Sequence, residues 1–237
     1  MTEIHKLASF VDSLHYREQT GPQVDPKKGC FPFIAISRQA GAGGSALADV
    51  LEEMIQKLHS EPLFRGWQLC NHELCHMVAK DPSLKKTVET LRRTEYHSHA
   101  EDILSQLIFG GASQDLVIKK MLHIMRTFAL HGKVIFVGRG STFLTHDLPL
   151  GIRIRLEAPF ESRVKRMMGA LNLDAKKARE AVEEKDKAKA ELVKTFFNKD
   201  IRDPLLYDIV WNTDRVPIKE IARLLIEMIR DKAAGVC

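Results

Sequence analysis

The chain has 237 residues, 44% apolar and 28% charged, a globular composition with room for one large domain or a core with a small insertion. No apolar run approaches the roughly 18 to 20 residues that span a bilayer. The start, MTEIHKLASF, lacks the apolar stretch of a secretory signal, so a cytoplasmic protein without membrane contact is expected. The formal charge of +5 suits a phosphate-bearing ligand and ordinary solubility equally; it is too diffuse to mark a nucleic-acid surface, and none is expected.

Ile4, Leu7, Ala8, Val11 and Leu14 recur at helical spacing, which predicts an amphipathic helix over residues 2–15. A polar loop broken by Pro22 and Pro26 follows, so residues 1–30 read as an extension to a domain at 31–237. Strands are predicted at FPFIAIS (31–37), KVIFVG (133–138), IRIRLEA (152–158) and YDIVWNT (207–213), with WQLC (67–70) a weaker fifth. Between them, apolar stripes mark helices: Leu47, Val50, Leu51, Met54 and Leu58; Ile118, Met121, Leu122, Met125, Phe128 and Ala129; Ile218, Ile221, Ala222, Leu225, Met228 and Ile229. Alternating strands and helices imply an α/β fold, a parallel sheet with helices on both faces.

Residues 72–131 are almost wholly helical and longer than one crossover needs, so they read as a helical insertion. Within CNHELCH, the Cys70, His72, Cys75 and His76 spacing matches none of the usual zinc patterns, and a structural role is expected. Cys30 and Cys237 complete a set of four thiols suited to a reducing compartment. The charged stretch 174–199 has few large apolar anchors; a mobile lid and a solvated surface helix share that composition.

The strongest local signal is FIAISRQAGAGGSALADVLEEM, an apolar strand running through Gly41, Gly43 and Gly44 to Ser45 and an amphipathic helix. Glycines there let the backbone approach a ligand, and unpaired amides at a helix start attract anions. A Walker A loop reads GxxxxGK[ST]; here RQAGAGGS replaces its first glycine with Arg38 and its lysine with Gly44, and keeps the hydroxyl as Ser45. A second basic element, VIFVGRGS, sets Arg139 between two glycines where a strand ends, the end of a parallel sheet at which ligands sit.

In order along residues 31 to 230, ISRQAGAGGSALA, VIFVGRGS, IRLEAPFESRVKRMM and DKAKAELVKTFFNKDIRDPLLYDIVWNT resemble the cytidylate-kinase-like family of P-loop kinases. The resemblance implies a three-layer P-loop kinase fold on a five-stranded parallel sheet, with residues 72–131 as substrate-binding insertion and 174–203 as lid. It implies transfer of the ATP γ-phosphoryl group to a nucleoside monophosphate, CMP or dCMP first, with Mg2+. Carried over, Ser37, Gly41, Ala42, Gly43, Gly44 and Ser45 would hold the ATP phosphates, and Ser45 would also touch magnesium. Arg139 would hold the acceptor phosphate, with Arg202 and Asp203 in the segment that closes the lid. Arg163 would approach the donor phosphates, and Lys187, Lys189 and Lys194 are lid candidates for the γ-phosphate.

The chain also departs from that family. Gly44 stands where cytidylate kinases carry a lysine, and Ser37 and Val137 stand where they carry aspartates. Arg38, long enough to reach across the turn, is the candidate replacement for the missing positive charge. Three functions remain open on the sequence: a nucleoside-monophosphate kinase, a nucleotide-binding or regulatory protein without turnover, and a kinase of another small metabolite.

Overall fold

The computed structural model describes residues 31–70 and 113–235. The expected N-terminal helix, His72, Cys75, His76, Cys237 and most of the 72–131 insertion lie outside these residues. Five strands and six helices follow in chain order: β1 Phe33–Arg38, α1 Gly44–Lys57, β2 Gln68–Cys70, α2 Ser113–His131, β3 Val134–Val137, α3 Ser141–Leu144, β4 Gly151–Glu157, α4 Phe160–Leu171, α5 Ala175–Phe197, β5 Ile209–Asn212 and α6 Ile218–Ala234. The strands lie in the order β2-β3-β1-β4-β5, and every pairing is parallel.

Period-two alternation on β1 splits the core into two layers. Phe33 and Ala35 join Met125 and Phe128 of α2 and Phe136 of β3 on one face. Ile34 and Ile36 join Leu47 and Leu51 of α1 and Ile221, Leu225 and Ile229 of α6 on the other. These residues are all nearly inaccessible, and each large one contributes about 1.5–3 kcal/mol by leaving water. A strand apolar on both faces belongs mid-sheet, which is where β1 lies.

The alternation on β4 carries a different message. Ile152, Ile154 and Leu156 enter the second layer, while Arg153 and Arg155, on the opposite face, are also buried. Arg153 donates from Nε to Thr145 O (3.0 Å) and from Nη1 to Gly151 O (3.2 Å), and it also reaches Leu148 O. It therefore ties down the connection into its own strand.

The charged run forms one helix, α5, capped by Asp174, whose carboxylate accepts from Lys177 N at 2.8 Å. It ends at Asn198, in left-handed conformation. Ala178 and Val182 pack on Val164 and Met167 of α4 and on Ala40, which seats α5 against the β1–α1 turn. Among the described residues no helix is long and apolar enough to cross a membrane.

Candidate functional site

The turn from Gln39 to Ser45 is held from behind by two arginines of α4. Arg163 donates from Nη1 to Ala40 O (3.2 Å) and from Nε to Ala158 O (3.0 Å). Arg166 donates to Gly41 O (3.4 Å) and to Thr213 Oγ1 (2.9 Å). The contact is close: a Cβ on Gly41, whose φ is 74°, would sit 2.6 Å from Arg163 O. Those two carbonyls are engaged, and Gly43 O accepts from Leu47 N (2.9 Å). The Ala42 amide closes the turn on Gln39 O (3.2 Å). The amides of Gly41, Gly43, Gly44 and Ser45 donate to no described residue, and Gly43, the N-cap of α1, provides no side-chain cap. Bare amides at the start of a 14-residue helix form a concave, positive surface.

Ala40 differs. Its amide donates to Asp186 Oδ1 of α5 at 2.6 Å. The same carboxylate accepts from Arg163 Nη1 (2.6 Å, at Oδ2) and Lys189 Nζ (3.2 Å, at Oδ1). Asp186 thus couples three elements: the turn, α4 and α5. The protein satisfies the amides of Gln39, Ala40 and Ala42 and leaves those of Gly41, Gly43, Gly44 and Ser45 bare.

Two guanidiniums lie beside this surface. Arg38 ends β1 and Arg139 follows β3, and neither hydrogen-bonds or ion-pairs with any described residue. Burial, then the neighbouring charge of Arg139, pulls the Arg38 pKa down against the weaker opposing pull of Asp186. Burial also lowers Arg139, whose backbone is left-handed (φ 56°), and Lys189, which Asp186 partly supports. Unpaired, desolvated cations side by side are unfavourable without an anion. A cavity of about 40 Å³ opens between the strand ends and α5, lined by Ser37, Arg38, Gly138, Phe143, Lys189 and Ile201 among others.

The remaining candidates are dispersed. Lys187 and Lys194 are exposed, and Lys187 lies 3.9 Å from Glu191. Arg202 is exposed and pairs with Asp200 (3.0 Å); Asp203 caps the 3-10 turn at Pro204–Leu206 through Leu205 N (3.0 Å). Ser45 is exposed at the first turn of α1. Ser37 is buried, accepts from Arg155 Nη1 (3.1 Å) and lies 3.3 Å from Tyr207 Oη, while Arg155 itself pairs with Glu157 (2.7 Å). Val137 packs into the apolar layer with α1 and α6.

Sequence reasoning did not single out Asp186, Arg155, Arg166 or Tyr207. Of these only Arg155 and Tyr207 carried a hint, a charge and a phenol inside strand-like runs. Among the described residues no cluster of three or more histidine, cysteine, aspartate or glutamate side chains is placed to hold a metal. The donors present fit a polyphosphate, and a magnesium ion carried by it would find Ser45 Oγ as a ligand.

A sequence profile described as the cytidylate kinase-like family matches residues 33–215. No curated protein sequence matches the chain. Among solved structures, an uncharacterized protein from Eubacterium ventriosum ATCC 27560 is similar at TM-score 0.67 and 21% identity, over 85% of this chain and 99% of that one. TT1252 from Thermus thermophilus gives TM-score 0.47 at 16% identity, over 85% and 98% of the two chains. A shikimate kinase from Acinetobacter baumannii in complex with shikimate gives 0.41 at 16%, over 86% and 95%.

Proposed function

The chain belongs to the cytidylate kinase-like family and has a P-loop kinase fold, and on that footing we propose that it transfers the γ-phosphoryl group of ATP to a nucleoside monophosphate, CMP or dCMP first. The observation that carries the reading is the concentration of unpaired donors, four bare amides beside two unpaired guanidiniums at the carboxyl ends of β1 and β3.

ATP supplies the phosphoryl group: its bond to the bridging oxygen breaks as a bond from an acceptor phosphate oxygen forms, giving two nucleoside diphosphates. Gly41, Gly43, Gly44 and Ser45 offer amides to the donor phosphates. Arg139 holds the acceptor phosphate, and Arg38 and Lys189 neutralise charge between the two. Holding two anions in line and cancelling their repulsion is most of what such a transfer needs. In this reading α5 is the lid, and it brings Lys189 to the site through Asp186. Arg163 serves the turn from behind, and Arg202, Asp203, Lys187 and Lys194 stand further off.

The purified chain incubated with ATP, magnesium and each nucleoside monophosphate should yield diphosphate product, fastest with a cytidine nucleotide. A panel without product removes the proposal. A second reading, nucleotide binding without turnover, draws on Ser37 and Val137, which leave neither acid position able to support magnesium. Calorimetry that shows ATP binding in a chain without turnover selects it.

A further inference from the structure

Among the described residues the buried arginines are all paired, and the partly buried Arg38 is not. Arg126 is held by Asp147 (2.8 and 2.9 Å) and Leu144 O, Arg153 by carbonyls of its own loop, and Arg163 by Asp186 and two carbonyls. Each is paid for by acceptors, as a structural buried cation must be. Arg38 has none. Its stem and guanidinium lie against two glycines. A Cβ on Gly44 would lie 2.8 Å from Arg38 Cγ, 3.2 Å from Cδ and 3.3 Å from Cβ. At the far end, a Cβ on Gly138 would overlap Arg38 Nη1. The side chain therefore runs from β1 across Gly44 and delivers its guanidinium to the surface of Gly138, beside Arg139.

Gly44 is not among the residues of positive φ, so its helical backbone gives no reason for glycine. The obstruction does. Because Cγ lies one bond from Cβ, only rotation about χ1 clears it, and that rotation removes the guanidinium from Gly138.

We infer that Arg38 and Gly44 are an exchanged pair: the cation that a Walker loop carries on the first turn of its helix is carried here from the end of β1, and residue 44 is glycine because the stem of that arginine occupies the room its side chain would need. The inference deepens the phosphate-binding reading and rests on it. It assigns Arg38 as the group that contacts the donor polyphosphate and makes a lysine at position 44 incompatible with it.

The variant pair R38G and G44K regenerates GQAGAGKS, a complete Walker loop, so a double-mutant cycle tests the exchange. Inorganic tripolyphosphate and magnesium-ATP are titrated calorimetrically into the full chain. R38Q keeps the stem between the glycines and removes the charge; it should melt no lower than wild type and bind both probes about 10- to 100-fold more weakly, as expected for losing a charged hydrogen-bond donor. G44K in the wild-type background should lower the melting temperature and improve neither titration. The same lysine in the R38G background should recover at least about tenfold of the lost affinity.

Tripolyphosphate binding by R38Q within about twofold of wild type, or a lysine at 44 acting equally in both backgrounds, overturns the exchange. Phosphoryl transfer retained in full by R38Q overturns it too and leaves the kinase reading intact. Arg38-dependent tripolyphosphate binding without turnover on any nucleotide sinks the kinase reading and upholds the exchange. A wild-type chain that binds neither probe overturns both.

Discussion

Removing the carboxylate of Asp186 should unseat α5 from the turn. It accepts three hydrogen bonds, from Ala40 N and Arg163 Nη1 at 2.6 Å each and from Lys189 Nζ at 3.2 Å. In Asp186→Ala, Arg163 keeps two carbonyl acceptors but loses its only counter-charge among the described residues. Breaking a fully buried ion pair from one side costs about 3–5 kcal/mol. Here the arginine side chain is 8% exposed and the aspartate 29%, so water offsets part of that cost. A loss of about 2–3 kcal/mol follows, on the order of 5 to 10 °C in melting temperature for a chain of this size. Urea titration at constant slope measures it, and hydrogen exchange at the Ala40 amide reports whether the loss lies at the turn. Because the deficit comes from a stranded charge, Arg163→Met combined with Asp186→Leu should cost less than the two single changes added together. A loss below about 0.5 kcal/mol in Asp186→Ala, or strict additivity in the pair, would refute the account of Asp186 as the tie between turn and helix.

Other changes probe the same region. Gly41→Ala forces a side chain into a left-handed backbone and against Arg163 O, and should cost about 2–4 kcal/mol, seen as a lower thermal midpoint, together with the loss of ATP binding. Arg139→Gly removes a desolvated, unpaired cation from a left-handed position; it should leave the ligand-free chain as stable or up to about 1 kcal/mol more so, while raising the acceptor KM in a coupled assay. Burial raises the Tyr207 pKa above its ordinary value of 10.0. The unfolded chain therefore loses this proton first as the solution becomes alkaline, and the stability contributed by the protonated phenol is present below pH 10 and fades above it. Denaturation from pH 9 to 11 should show a shallower decline in Tyr207→Phe, at a cost near neutral pH of about 1 kcal/mol for the lost bond to Ile201 O.

The sheet was legible because its strands obey local rules. FPFIAIS shortens to Phe33–Arg38, since Pro32 has no amide to give the ladder, and YDIVWNT shrinks to Ile209–Asn212 on an edge with one neighbour. The glycine turn was legible for the same reason: strand, glycines, hydroxyl and helix are contiguous in the chain. Asp186 was not. In AKKAREAVEEKDKAKAELVK it is one acid among several, and only the fold brings it to an amide 146 positions earlier. The passage of Arg38 between Gly44 and Gly138 was half legible: the missing lysine and the long arginine are visible in RQAGAGGS, but Gly138 follows another strand, β3. The arginines of β4 alternate as strand residues should, yet their burial depends on carbonyls and a serine hydroxyl supplied by other segments. Helix α3, only four residues long, is too short to show any period.

The unbroken length of α5 has a mechanical consequence. Twenty-three residues make a rod of about 35 Å, and a left-handed asparagine lies near each end, Asn172 and Asn198, where the chain changes direction. Pivoting by roughly ten degrees at its first turn would carry the opposite tip about 6 Å and Asp186, near the midpoint, about 3 Å. That smaller travel is comparable to one hydrogen-bond length, so a modest tilt of the lever suffices to release the Ala40 amide while Ala178, close to the fulcrum, hardly stirs.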